Sequence, residues 1–210
     1  TLAARRAVDA GIVVVASAGN LGENAEGRHQ SGGITSPGNA PWVLTVGASS
    51  EQANSIRSND TIARFSSSGP TWIDFAAKPD LVAPGVAIES LSNPQSTLYF
   101  SLPEMLVSGS PGLGLGFKPY LSLSGTSMAA PVVTGTVALM LEANPKLTPN
   151  AVKAILQYTA QVRSSTSLLA QGAGMLNARG AIRLAKFFAS PTTGVGQMGD
   201  TIQGEWTPWA

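Results

Sequence analysis

Between Gly11 and Asn20 the chain reads GIVVVASAGN, a short, continuous, largely β-branched run that stops at Ser-Ala-Gly-Asn. A strand with one wet face alternates apolar and polar residues. A run that is apolar at every position needs cover on both faces, as in parallel sheets with helices above and below. Just upstream, Leu2, Ala3, Arg6, Ala7 and Ala10 have helical spacing, and Gly11 stands where a left-handed residue ends a helix. A helix feeding a buried parallel strand, Ile12 to Ala16, is therefore expected.

The rest of the chain continues the alternation. Residues 21–40 are rich in Gly, Asn, Ser and Pro and read as loop, and Trp42 to Ala48 restores an apolar strand. RFSSSGP and KPDLVAPG bracket two more short extended segments. From 93 to 120 the sequence loses any period and includes GSPGLGLG, so a long surface excursion is expected. Three helices are predicted: 127–143; 149–160, with Thr148 as N-cap and Pro149 at the first helical position; and 178–189 behind Asn177. Strands alternating with helices define an α/β fold with a three-layer, mostly parallel sheet flanked by helices. Residues 1–190 form the domain, and 191–210, with no apolar period, is expected to be a tail or linker.

Composition narrows the function. In 210 residues, 43% are hydrophobic and 12% charged, enough apolar material for a sizeable core. Thirteen basic side chains nearly cancel twelve acidic ones, so the footprint of a nucleic-acid or membrane-surface binder is missing. The longest apolar stretches fall short of the roughly 20 residues that cross a bilayer. There is no cysteine, which excludes thiolate metal sites, and one histidine, which excludes a site needing two imidazoles.

The chemistry concentrates in LSLSGTSMAAPVVTG, 121–135, where Gly125, Thr126 and Ser127 precede an apolar helical run. A Ser at a helix start has a backbone N–H without an intrahelical partner, where negative charge is stabilised. Pro131 is tolerated if it falls early in the helix, which places the start near 127. A bare Ser or Thr here is also explained as an N-cap.

The string Gly125-Thr126-Ser127-Met128-Ala129-Ala130-Pro131 resembles the nucleophile motif of the subtilisin-like serine proteases, the subtilases, and VVVASAGN, 13–20, resembles the strand leading to their oxyanion-binding asparagine. SPGNAPWVLTVGA, FSSSGP, KPDLVAPG and GAGMLNARGAI extend the likeness over most of residues 1–187. The resemblance implies a subtilisin-like fold in which 1–190 is the C-terminal portion of a catalytic domain whose N-terminal part is missing. It implies Ser127 as the acyl-forming nucleophile, with its own N–H and the Asn20 amide as oxyanion donors. Ser17, Ala18 and Gly19 would wall the pocket for the substrate side chain, and Gly125 would allow close backbone approach.

A serine needs a base to take its proton. His29, in EGRHQSGG, lacks the family's setting for that residue, and Asp9, Asp60, Asp74 and Asp80 lack the setting of the orienting carboxylate. The family's chain order, Asp then His then Ser, places both partners upstream of Thr1. The resemblance thus implies a serine endopeptidase acting on a peptide or protein substrate, extracellular or in the cell envelope, and inactive without the upstream part of the same domain. Subtilases often bind structural calcium, but no calcium-loop spacing occurs and no metal or cofactor is assigned. A non-catalytic peptide-binding pseudoprotease is the alternative. Nucleotide binding at AGNLG or GLGLG fails because neither is the full Gly-rich motif opening a helix.

Overall fold

The structure, a computed structural model, describes residues 1–54, 56–109, 117–190, 198–202 and 205–209. Helix α1 (Leu2–Asp9) stops as Gly11 takes a left-handed φ of +86°, and the chain turns into strand β1 (Val15–Ser17). Strand β2 (Leu44–Ser50) runs parallel to β1, Val15 opposite Leu44 and Ser17 opposite Val46. Strand β4 (Leu81–Pro84) is also parallel to β2, Val46 opposite Leu81, and the short β3 (Thr61–Ile62) pairs with it antiparallel. The sheet is mostly parallel, as the sequence predicts.

The first strand is shorter than the apolar run that announces it. Ile12 is 58% exposed, and pairing begins only at Val15, because the partner strand itself begins at Leu44 after a turn closed by Val43 N–H on the Ala40 carbonyl. The run nevertheless faces two ways. Val13 and Val15 join Leu44, Val46 and Ala48 in the main core, while Val14 and Ala16 pack with Ala40, Val43, Trp42 and Ala4 of α1. One layer of helix lies on each side of the sheet, the arrangement that an uninterrupted apolar strand requires.

On the main-core face lie α3 (Thr126–Ala143), α4 (Pro149–Thr159) and α6 (Ala178–Ala189), with the one-turn α5 (Leu168–Gln171) between the last two in sequence. Ala129, Val133, Val137 and Met140 recur every three or four residues and are buried along α3. Thr148 caps α4 by accepting the Ala151 N–H at 3.2 Å, and Asn177 caps α6 through the Gly180 N–H at 2.9 Å. α3 starts one residue earlier than expected. Pro131 is thus its sixth residue, and the N–H it lacks would have reached the Ser127 carbonyl, which is left without its helical donor.

The excursion is more ordered than a loop. Strands β5 (Ile88–Leu91), β6 (Leu106–Val107) and β7 (Tyr120–Leu123) make an antiparallel sheet in the order β5-β7-β6, and helix α2 (Thr97–Ser101) lies between β5 and β6 in sequence. A two-residue strand carries no readable period, and 110–116 lie outside the described residues.

The expected tail is also corrected over its second half. β8 (Gly199–Ile202) and β9 (Glu205–Pro208) form a hairpin docked on α6, while 191–197 lie outside the described residues. Asp200, 2% exposed, fastens it by accepting from Asn177 Nδ2 at 2.8 Å, Trp209 Nε1 at 2.8 Å and Arg183 Nη1 at 2.6 Å.

Candidate active site

Strand β1 delivers its last residues to the N-terminus of α3. Past Ser17, Ala18 donates its N–H to Val46 at 2.8 Å and its carbonyl accepts from Thr35 at 2.9 Å. Gly19 follows with φ +111°, where an added Cβ would lie 2.8 to 2.9 Å from the side chains of Thr35 and Ser67, so only glycine makes this turn. Its N–H donates to Thr126 Oγ1 at 3.2 Å. The chain thereby presents Asn20 at the helix mouth.

Thr126 fixes which way the Asn20 amide points. Asn20 Oδ1 accepts from the Thr126 N–H at 3.0 Å and from the Thr126 hydroxyl at 2.9 Å. A backbone N–H only donates, so the oxygen must take this side and the NH₂ group the other. That NH₂ group lies beside Gly125, where a Cβ would stand 3.3 Å from Asn20 Nδ2. Gly125 is buried and held by its N–H on the Gly85 carbonyl at 2.8 Å.

Ser127 is the second residue of α3 and is exposed. Its N–H belongs to the first turn, where no helical acceptor exists, and it has none among the described residues. Three donor hydrogens, two on Asn20 Nδ2 and one on Ser127 N, are thus available beside an exposed hydroxyl, at the positive end of an 18-residue helix. Such an arrangement stabilises an anion that develops next to the hydroxyl.

Of the residues expected to wall a pocket, Ser17 and Gly19 are half-buried, whereas Ala18 is fully buried with both main-chain groups committed. Ala18 therefore offers no surface to a ligand. None of the candidate acids and bases reaches Ser127. His29 Nε2 lies 3.3 Å from Ser68 Oγ, Asp9 pairs with Arg5, and Asp74 accepts from Thr71. Asp60 is 5% exposed and accepts no hydrogen bond among the described residues; burial, opposed by Arg57 and Arg163, pushes its carboxyl up. Among the described residues no three carboxylate or imidazole side chains converge as a metal site would require.

Asp80 is committed to backbone and lysines. Its Oδ2 accepts the Thr45 N–H at 2.7 Å and pairs with Lys78 Nζ at 2.7 Å, and its Oδ1 pairs with Lys153 at 2.9 Å. The roles of Thr126, and of the serines in FSSSGP discussed below, escaped sequence reasoning because their partners are 18 to 107 residues away.

The mostly parallel sheet and the start of α3 thus bring an exposed serine and an asparagine amide to one helix mouth. Residues 1–175 match the model of the subtilase family, and the chain belongs to that family. It is 38% identical over 180 residues to serine protease AprX of Bacillus subtilis, covering 86% of this chain and 37% of that protein. It is 32% identical over 181 residues to subtilisin Savinase of Lederbergia lenta, covering 86% and 50%. Among solved structures, fervidolysin from Fervidobacterium pennivorans, a keratinolytic enzyme related to subtilisin, superposes with a TM-score of 0.60 at 27% identity, over 84% of this chain and 23% of that one. The chain thus spans half or less of each of these relatives.

Proposed function

We propose that these residues carry the nucleophile and oxyanion site of a serine endopeptidase, with Ser127 attacking the peptide carbonyl and Asn20 and the Ser127 N–H receiving the oxyanion. The single observation that supports this is the Asn20 amide, turned by two Thr126 hydrogen bonds so that its donors face the Gly125 side of the helix mouth. Donors fixed in advance stabilise a tetrahedral intermediate without reorganising during the reaction.

The reaction proceeds in two steps. Ser127 Oγ bonds to the carbonyl carbon as its proton passes to a base, and collapse of the intermediate expels the amine, which takes up that proton. Water then repeats the sequence on the acyl-enzyme. Neither His29 nor any Asp is bonded to Ser127 among the described residues, so the base and its carboxylate come from another segment, upstream in the family's order. Family membership supports a peptide or protein substrate and export to the cell exterior or envelope.

A fluorophosphonate, which traps activated serines, tests this. The complete catalytic domain labels at Ser127, residues 1–210 alone do not, and Asn20→Ala lowers kcat about 10² to 10³-fold. Labelling at another serine, or an unchanged kcat in Asn20→Ala, contradicts the proposal.

A further inference from the structure

We propose that Ser67 is a positioning residue for the oxyanion site, clamping the main chain on both sides of Asn20; the inference rests on the oxyanion reading above. Asn20 is exposed, and its own N–H and carbonyl have no partner among the described residues. What holds its Cα in place is its two neighbours. The Gly19 carbonyl accepts the Ser67 N–H at 2.9 Å, and the Leu21 N–H donates to Ser67 Oγ at 3.0 Å. One fully buried residue therefore grips the chain immediately before and immediately after the asparagine.

The surroundings are shaped for that hydroxyl. A Cβ on Gly19 would stand 2.9 Å from Ser67 Oγ, and one on Gly33 would stand 3.2 Å from it, so two glycines leave the space it occupies. The flanking serines are spent elsewhere. Ser66 Oγ accepts the Ala48 N–H at 3.0 Å within the sheet, and Ser68 Oγ donates to the Gln30 carbonyl at 3.2 Å. Of the three hydroxyls in FSSSGP, only that of Ser67 bonds next to the oxyanion asparagine.

Geometry gives this clamp its consequence. Thr126 sets the rotation of the Asn20 amide, but the amide hangs from a Cα whose position Ser67 sets. An oxyanion donor works at 2.7–3.1 Å, and a misplacement of about 1 Å costs on the order of 10²-fold in rate. Ser67 touches no reacting atom and acts through Asn20.

The test compares Ser67→Ala with Ser66→Ala in the complete catalytic domain. Each removes the acceptor of one backbone N–H, part-buried at Leu21 and buried at Ala48, so Ser66→Ala is expected to lower Tm at least as much as Ser67→Ala. Ser67→Ala is expected to lower kcat by 10-fold or more with KM within about twofold, and Ser66→Ala to leave kcat unchanged. Equal kcat in both variants, or a wild-type kcat in Ser67→Ala, overturns the inference. Asn20→Ala alongside separates the two claims: a normal kcat there removes the oxyanion reading and this inference with it, whereas a large drop there with normal Ser67→Ala kcat removes the inference alone. If Ser67→Ala does not fold, hydrogen exchange of the wild-type protein decides, since the clamp requires the Leu21 amide to be protected and the Asn20 amide not to be. Rapid exchange at Leu21 overturns it.

Discussion

Gly172 shows how strictly single residues are specified away from α3. Its φ is +62°, and a Cβ there would overlap the Pro79 carbonyl oxygen and lie 2.6 Å from the Asp80 carbonyl carbon, backbone that leads directly into β4. No flexible side-chain end is present to yield. Gly172→Ala is expected to destabilise by roughly 3 kcal/mol, combining left-handed strain of about 1 kcal/mol with the forced backbone shift; a loss below about 1 kcal/mol in urea unfolding would show that the two segments can part. At this scale the sequence exposes identities but not partners. Ser127 and Asn20 stand out because their local strings resemble the family's motifs. Thr126 passes for an ordinary N-cap, and its real partners, Gly19 and Asn20, lie more than 100 residues earlier. Ala18, read from its string as pocket wall, is fully buried, with its N–H on Val46 and its carbonyl on the loop residue Thr35.

Elements were legible in proportion to their length. α3, α4 and α6 carry enough turns for a period, and α4 and α6 begin at side-chain caps that sequence alone marks, whereas β3, β6 and the β8–β9 hairpin have two to four residues per strand and no such signal. The hairpin is bound mainly through one carboxylate. Burial alone would push the Asp200 carboxyl up, but hydrogen bonds from Asn177, Trp209 and Arg183 outweigh it and hold the carboxyl below its ordinary range. The native state therefore binds fewer protons at this site than the unfolded chain does near pH 4. The stabilisation is complete above the unfolded carboxylate pKa of about 3.9 and is lost as pH falls through the folded value. Asp200→Ala is expected to cost about 2 kcal/mol at pH 7, because Asn177 Nδ2 and Trp209 Nε1 lose a buried acceptor, and the cost should shrink below pH 4. Chemical denaturation of both proteins across pH 3 to 7 checks it; a gap that does not narrow in acid would mean that packing, not the charge, holds the hairpin.

For the molecule as a whole, the layers are tied together by a charge cluster behind the sheet that no motif advertises. Lys78 Nζ donates to the Val43 carbonyl and Thr45 Oγ1, each at 2.9 Å, and to Asp80 at 2.7 Å; Lys153, from α4, reaches Asp80 and the carbonyls of Pro41 and Val43. Nothing in the string around Asp80 reveals this, because the second lysine arrives from 73 residues further on. Two ammonium groups thus share one buried carboxylate. Burial pushes Lys78 down, Asp80 opposes the shift and Lys153 adds to it, leaving Lys78 at about 8. The unfolded chain keeps this proton to about pH 10.4. Between those values the unfolded state binds more protons than the native state, so the contribution of Lys78 to stability rises with pH; below 8 both states are charged and the cost of burying the ammonium is borne in full. The difference in unfolding free energy between the wild type and Lys78→Met should accordingly climb by on the order of 2 kcal/mol from pH 8 to pH 10, with titrating groups outside the cluster cancelling in the subtraction. Urea midpoints at pH 7, 8, 9 and 10 measure it. A flat difference would mean that the three acceptors around Lys78 Nζ hold its proton throughout, and that the cluster fastens sheet to helix as a permanent ion pair.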